Sequence, residues 1–444
     1  MYRHRRQVGV NLGSIFILDK KFSPASLRSC VVNGTWESEL DFLRACMTLE
    51  QAEEALEDHW STFVTEKDFQ YLSSIGINSV RIPIGYWIVD IEHGPFKKYR
   101  EVYKSAWRWF LHMIHLAAQY KMGVLVDLHG APGGQNPLSH SGTSSHRVQF
   151  YKGDNQEHTL KVLQKLTTAL APINNVIGLS LLNEPIDDAL LPNFYLSAYH
   201  LVRQASDIML PIYISDVGHR RKYMDFIQQN HMKFVILDTH FPLTRNVNTK
   251  ETAHPAEEQE LKKDYAHMHG NLIIGEWSAI PQDGYRREEA FSETQLAIYT
   301  QSSAGHYFWN YRTSDDADGW SFLYCHKNRI LPAVFKGGKM TTTCVEGAYL
   351  LAKSRYEMYR KSAHQHYLSM RPKGHEYDVD GYTCGFREGY GVAMNYLREY
   401  QSRVGFKHQL AHGYAKNGKS IEYEQAFIRA LFIVDQLIAE FICT

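Results

Sequence analysis

Eight short apolar runs, each ending in polar residues and separated from the next by enough chain for a helix, leave few folds open to this sequence. They read "VGVNLG" from Val8, "SVRIPIG" from Ser79, "GVLVDLHG" from Gly123, "VIGLSLLNEP" from Val176, "PIYISD" from Pro211, "FVILDTH" from Phe234, "NLIIGEW" from Asn271 and "HYFWNYR" from His306. Runs this short that do not alternate apolar with polar residues fit strands buried on both faces. Segments 65–75 (behind a threonine cap), 104–120, 155–170, 194–209, 220–230, 256–269 and 287–303 carry helical periodicity between them. Buried strands alternating with helices form a parallel sheet, and eight such units predict an α/β fold of the (β/α)8 TIM barrel type. Residues 29–60 then form an insertion in the first βα loop, with a helical patch at 50–57.

Barrels of this class exceed 200 residues as one domain, so 444 residues accommodate one barrel and an appendage. The barrel is assigned to 1–344; residues 345–444 hold the last barrel helix (345–360) and a helical C-terminal extension, with helical stretches at 386–400 and 423–441. Tyr423, Phe427, Ala430, Leu431, Val434, Leu437, Ile438 and Phe441 recur at helical spacing and make one apolar stripe, suited to packing on the barrel or on a sister helix.

In such a barrel the chemistry gathers at the C-terminal ends of the strands. Those ends carry Arg81 on the second strand, Asp127 and His129 on the third, Asn183 and Glu184 on the fourth, His240 on the sixth, Glu276 on the seventh and Trp309 on the eighth. An unpaired charge inside a barrel costs several kcal/mol, so Glu184 is expected to emerge at the rim and face Glu276 across it. Two carboxyl groups so placed match the needs of glycoside hydrolysis, where one donates a proton to the leaving oxygen and the other attacks the anomeric carbon. A separation of about 5 Å permits a covalent intermediate and retained configuration. Arg81 is expected to keep Glu276 ionised, and the charge of Glu276 to keep the proton on Glu184. Asn183 is placed to donate to the sugar 2-hydroxyl, and Trp309 to form a stacking floor; Trp277 reads as core.

Lysine plus arginine equals aspartate plus glutamate, 48 against 48, so no global field favours nucleic acid or an acidic membrane surface. No stretch reaches the roughly 18 apolar residues of a transmembrane segment. The six cysteines have no CxxC spacing, which argues against zinc and for free thiols. "MYRHRRQ" is followed by "VGVNLGSIFILDKK", a first strand rather than a signal peptide, so the expected location is cytoplasmic. "GAPGGQNPLSHSG" is glycine-rich but follows the third strand and opens no phosphate-binding helix, so it is not read as a nucleotide site.

With these residues in place the chain resembles glycoside hydrolase family 5, in particular its fungal exo-β-1,3-glucanase and β-glucosidase branch, over about residues 8–324. The resemblance rests on "GVNLG" at Gly9, "HWSTFVTEKDF" at His59, "VRIPIGYW" at Val80, "DLHGAPGGQN" at Asp127, "LLNEP" at Leu181 and "GEWS" at Gly275, in that order. It implies that Glu184 is the acid/base and Glu276 the nucleophile, and that Arg81, His129, Asn183, His240 and Trp309 bind the cleaved glucose. Asp19 stands where the glucanases carry a glutamate on the sugar's far hydroxyls, with a shorter reach. Pro242 stands where the family has a tyrosine bonded to the nucleophile, a hydroxyl that Tyr311 is expected to replace. The expected activity is that of a retaining exo-acting β-glucosidase acting on β-1,3-glucan oligosaccharides or on a small or lipid β-glucoside. No metal or organic cofactor is expected, because acid/base and nucleophile are both carboxylates. The alternative is a non-catalytic barrel that binds a glycan or a protein.

Overall fold

The computed structural model describes residues 1–31, 36–240, 255–280, 289–314, 316, 319–331, 342–370, 377–416 and 418–442. Strands β1 (Gln7–Asn11), β2 (Ser79–Gly85), β3 (Gly123–Gly130), β4 (Val176–Ser180), β5 (Ile212–Ser215), β6 (Val235–Thr239), β7 (Leu272–Trp277) and β8 (Gly305–Phe308) pair in chain order, all parallel. β8 returns to β1, with Gln7 opposite Gly305 and Val10 opposite Phe308, and closes the barrel. Each of the eight apolar runs contributes one strand.

The first βα loop holds two helices, α1 (Glu39–Ala45) and α2 (Leu49–Thr62). Between the strands follow α3 (Glu66–Ser74), α4 (Ala106–Gln119), α5 (Asn155–Leu170), α6 (Leu191–Ala205), α7 (Arg220–Gln229), α8 (Pro255–His267) and α9 (Glu289–Ser302), and α10 (Phe322–Lys327) comes after β8. Helix α4 shows why these segments are helical: Ala106, Phe110, Met113, Ile114 and Ala117 fall on one buried face. At the start of α3 the carboxylate of Asp68 accepts from the Thr65 amide at 2.7 Å and from its hydroxyl at 2.9 Å. Helix α1 went unread in the sequence although "SELD" carries the same signal: Ser38 Oγ accepts from the Asp41 amide, and the Asp41 carboxylate accepts from the Ser38 amide.

Large polar side chains share the barrel interior near its strand starts with aliphatic ones such as Ile177, which would lie 2.6 Å from a Cβ on Gly123. Gln7 donates to the Tyr213 hydroxyl and accepts from that of Tyr307, both at 2.8 Å. Glycines make the room: a Cβ on Gly9 would lie 2.3 Å from the Tyr307 ring, and one on Gly178 2.2 Å from the Tyr213 ring. In the first βα loop the Sγ atoms of the free cysteines Cys30 and Cys46 lie 2.9 Å apart.

Contacts divide the chain into two compact units, one comprising Tyr2 and Gln7–Lys336, the other Met1, Arg3–Arg6 and Gly337–Thr444. The described helices of the second unit are α11 (Thr342–Ser369), α12 (Val379–Tyr400), α13 (Lys407–Ala415) and α14 (Ile421–Ile442). Where the sequence suggested a last barrel helix at 345–360, Val345, Ala348 and Ala352 of α11 join the same apolar cluster as Phe386, Tyr423, Phe427 and Leu431. The stripe of α14 thus packs on its sister helix α12. N-terminal residues join this unit too: Arg5 bridges antiparallel to Val404, and the Gly405 amide donates to His4 O at 2.8 Å. Partly buried Asp435 accepts from Arg403 at 2.6 Å and pairs with Lys407 at 3.0 Å.

Helices α12 and α14 approach closely because Gly385 and Gly389 face the backbone of α14; a Cβ on Gly385 would lie 2.1 Å from the Tyr423 carbonyl oxygen. Gly391 of the same helix has nothing within 4 Å of its would-be Cβ. Gly385→Ala should therefore lower the stability of the helical unit by about 1–3 kcal/mol, overriding a helix-propensity gain of about 1 kcal/mol. Gly391→Ala should raise stability by roughly 0.5–1 kcal/mol, and urea denaturation of the two variants reads both signs.

Candidate active site

Arg81 organises the mouth of the barrel. It projects from β2 with no solvent exposure, and its Nη1 donates to Glu276 Oε1 at 2.8 Å and to Asn11 Oδ1 at 2.9 Å. Its Nη2 donates to Asn183 Oδ1 at 2.8 Å and lies 3.2 Å from Asp127 and 3.9 Å from Asp238. One cation thus neutralises part of a cluster that includes three carboxylates, the arrangement that makes a buried charge tolerable. Asn11 holds the other side, donating to Gly275 O at 3.0 Å and Phe308 O at 3.3 Å. Gly275 is glycine because Asp238 needs the space: a Cβ there would sit 2.0 Å from Asp238 Oδ1.

The two glutamates meet above Arg81. One carboxylate oxygen of Glu184, one of Glu276 and a ring nitrogen of His240 all lie within 4.8 Å of one another. His240 Nδ1 is 2.7 Å from Glu184 Oε1 and 3.7 Å from Glu276 Oε2. The Glu184 side chain is 37% exposed and that of Glu276 16%, so Glu184 lies on the open side of the pair. His129 is held by Asp127, whose Oδ2 is 2.8 Å from Nδ1; its Nε2 faces Asn183 Nδ2 at 3.4 Å. The ring of His129 lies parallel to that of Trp309, with centroids 5.5 Å apart.

The shifts of the two glutamates run opposite to the directions the sequence suggested. Burial alone would raise the Glu184 carboxyl, but the hydrogen bond and charge of His240, with the fields of His140 and His129, hold it well below the usual carboxylate range. Burial raises Glu276, outweighing His240 and Arg81, and the negative charge of Glu184 adds to the rise. Burial would lower His240; the charges of Glu276, Glu184 and Asp238 and the bond to Glu184 raise it instead to about 10.

Strands β3 and β4 are clasped where these groups emerge. The Gln135 side chain donates to His129 O at 2.6 Å and Asn183 O at 3.0 Å, and accepts from the Ala131 amide at 3.0 Å. Asn136 Nδ2 donates to Glu184 O at 3.1 Å. Glu184 itself sits at φ +41°, a left-handed conformation costly for a side chain this long. The "GGQN" segment supplies the bonds that hold it there.

These groups line a cavity of about 250 Å³ together with Asp19, Lys21, Phe22, His140 and Trp320. Of the residues singled out in the sequence, Asp19, His129, Asn183, Glu184, Glu276 and Trp309 line it directly. Arg81 lies beneath, and His240 bonds Glu184. Trp277 is 3% exposed and packs in the core, as expected. Tyr311 does not replace the missing tyrosine: its hydroxyl donates to Asp68 at 2.7 Å. Pro242 lies outside the described residues. Lys21, Phe22, His140 and Trp320 were missed because they sit in loops, where periodicity gives no orientation. Lys21 Nζ lies over the Trp320 ring, 4.2 Å from its centroid. Asp19 is held at the wall by its neighbours: Glu39 accepts from the Leu18 amide at 2.7 Å and from Trp87 Nε1 at 2.9 Å, tying the first βα loop to the second.

The family model described as cellulase (glycosyl hydrolase family 5) matches residues 47–315. The chain is 28% identical to glucan 1,3-beta-glucosidase 3 of Schizosaccharomyces pombe, over 91% of this chain and 89% of that one. It is 30% identical to glucan 1,3-beta-glucosidase 2 of Wickerhamomyces anomalus, over 72% and 77% of the respective chains. In fold it is similar to the crystal structure of rutinosidase from Aspergillus niger, at a TM-score of 0.57 and 16% identity over 74% of this chain and 98% of that one.

His240 should remain an imidazolium through neutral pH. Because its folded pKa, about 10, exceeds the ordinary value of 6.5, its contribution to stability is complete below pH 6.5 and is lost as pH rises through about 10. Nitrogen chemical shifts of the ring, followed from pH 6 to pH 10, should report titration only at the upper end. His240→Asn should flatten the stability loss over that window.

Proposed function

The chain belongs to glycosyl hydrolase family 5, and from that premise we propose that it is an exo-acting β-glucosidase in which Glu184 is the acid/base and Glu276 the nucleophile of a retaining reaction. That it is a glycoside hydrolase follows from the family; the residue roles rest on the separation of the two carboxylates. Oxygens within 4.8 Å of each other fit a nucleophile and acid/base on one sugar, whereas inverting pairs stand roughly 6.5–9.5 Å apart to admit water. Support for terminal glucose as substrate comes from the names of the glucan 1,3-beta-glucosidase relatives. The cavity adds to it, because about 250 Å³ lies below the roughly 300–1,000 Å³ typical of drug-sized ligands and suits one sugar ring.

In this reading the glucose stacks on Trp309, with Asp19 on its far hydroxyls and Asn183 and His129 on the side near the 2-hydroxyl. Arg81 occupies Glu276 Oε1, which leaves Oε2 to attack the anomeric carbon. His240 occupies Glu184 Oε1, which leaves Oε2 to exchange a proton with the leaving oxygen. The bound sugar expels water and deepens burial, the one influence that raises Glu184, and so acts in the direction its acid role requires. Once Glu276 is esterified its charge is gone, and the histidines around Glu184 favour the ionised form that accepts a proton from the incoming water. A barrel that only bound glycans would have no use for a cation on Glu276 or an imidazole on Glu184.

For location we propose the cytoplasm. A reducing compartment fits the free thiols Cys30, Cys46, Cys325 and Cys384; subcellular fractionation tests it.

A 2-deoxy-2-fluoroglucoside should leave a covalent glucosyl adduct on the peptide containing Glu276, and proton spectroscopy of the products should find β-glucose released first from a β-glucoside. Glu276→Gln should lower turnover by about 10⁴-fold with an unchanged melting curve. An adduct elsewhere, or α-glucose as the first product, would overturn the assignment.

A further inference from the structure

Glu184 has a second imidazole beside it that the reaction as described does not use. His140 sits in a single turn of 3-10 helix, Ser139–Ser141, within the loop after β3. Its Nε2 lies 3.6 Å from Glu184 Oε2, on the oxygen opposite the one occupied by His240. The ring lines the cavity, with its centroid 5.0 Å from that of His129. Its position is tied to that of Glu184 through the backbone: Asn136 donates to Glu184 O at 3.1 Å and accepts from the Leu138 amide at 3.0 Å, two residues before His140.

Nδ1 of His140 is buried without a hydrogen-bond partner among the described residues. The ring is therefore not held for the sake of that nitrogen, and its polar edge is Nε2. Burial lowers its pKa to about 4, His129 and His240 add to the effect, and Glu184 and Asp127 oppose it. At neutral pH the ring is uncharged, and the nearby Glu184 carboxylate favours the tautomer with the proton on Nε2. A gap of 3.6 Å is too long for a direct hydrogen bond. It is short enough for a single oxygen, lying to one side of the line between the two atoms, to bond both.

We propose that His140 is a positioning residue that shares with Glu184 Oε2 the oxygen that exchanges protons in each half of the reaction. Before cleavage that oxygen is the glycosidic one: Glu184 gives it a proton as the bond to the anomeric carbon breaks, and His140 orients it. Afterwards it is the oxygen of a water, which forms the new bond to the anomeric carbon as the ester bond to Glu276 breaks, its proton passing to Glu184. The inference rests on the roles proposed for Glu184 and Glu276, and it adds an aglycone-side contact that depends on the leaving group's oxygen rather than on the sugar.

Two substrates separate this from a structural role. With an activated aryl β-glucoside, whose leaving group needs no proton, breakdown of the glucosyl enzyme limits turnover. His140→Ala should then lower kcat and KM together by about 10-fold and leave kcat/KM within about 2-fold, a part of the roughly 10²–10⁴ that positioned proton transfer contributes. With an alkyl β-glucoside, whose oxygen needs orienting, kcat/KM should fall by about 10-fold. His140→Gln, which keeps a donor, should recover part of both losses and serves as the readout if the alanine variant does not fold. Unchanged kinetics on both substrates in a folded variant would overturn the role of His140 while leaving the proposed activity intact. So would an equal loss of kcat/KM on both with kcat preserved, the mark of a glucose contact. Wild-type protein inert on both substrates would instead remove the activity and the inference together.

Discussion

A guanidinium buried without solvent at the mouth of a closed barrel must be neutralised there, and much of the site can be read as the way this chain does it. Arg81 has three carboxylates around it, from β3, β6 and β7, and its hydrogen bonds also reach Asn11 and Asn183. Several of the eight strands are thereby tied to one charge. The tie dictates local sequence: Gly275 has no side chain because Asp238 occupies the space, and Asn11 spends its amide on the carbonyls of β7 and β8. The same cation fixes one oxygen of Glu276 and leaves the other free, so a solution to a burial problem also orients a reactive group.

The histidines divide the remaining electrostatic work. His129 is oriented by Asp127, whereas His240 lies between Glu184 and Glu276 and takes a proton because both are close. The resting site therefore keeps Glu184 in its proton-accepting form. The sequence suggested the opposite, because it supplied the two carboxylates and the arginine but not the 2.7 Å contact that brings an imidazolium to Glu184. Distances of that kind arise from strand register and loop course, which residue order alone does not determine.

Much of the fold was legible because burial on both faces of a strand leaves a mark that survives without context. The run "VIGLSLLNEP" read correctly as strand and rim, as did "GVLVDLHG" and "NLIIGEW". Helix α1 was missed although "SELD" carried its cap, because the insertion around it has no periodic stripe long enough to stand out. Tyr311 was misread because a hydroxyl near a strand end has two faces to choose from, and Asp68 claims it. His140, Lys21 and Trp320 lay beyond sequence reasoning, since loop residues reveal their partners only when the loop is folded. The contribution of residues 3–6 to the helical unit was equally hidden, being a contact between distant ends of the chain.

The plug of Gln7, Tyr213 and Tyr307 at the far end of the barrel has a consequence for traffic. With that end filled by mutually bonded side chains, arrivals and departures share the mouth beside Glu184. In the proposed reaction the aglycone would therefore leave, and water enter, on the side from which the substrate arrives. Among the described residues, the stopper at the opposite end from the chemistry thus leaves the cavity with a single entrance for everything the proposed reaction exchanges.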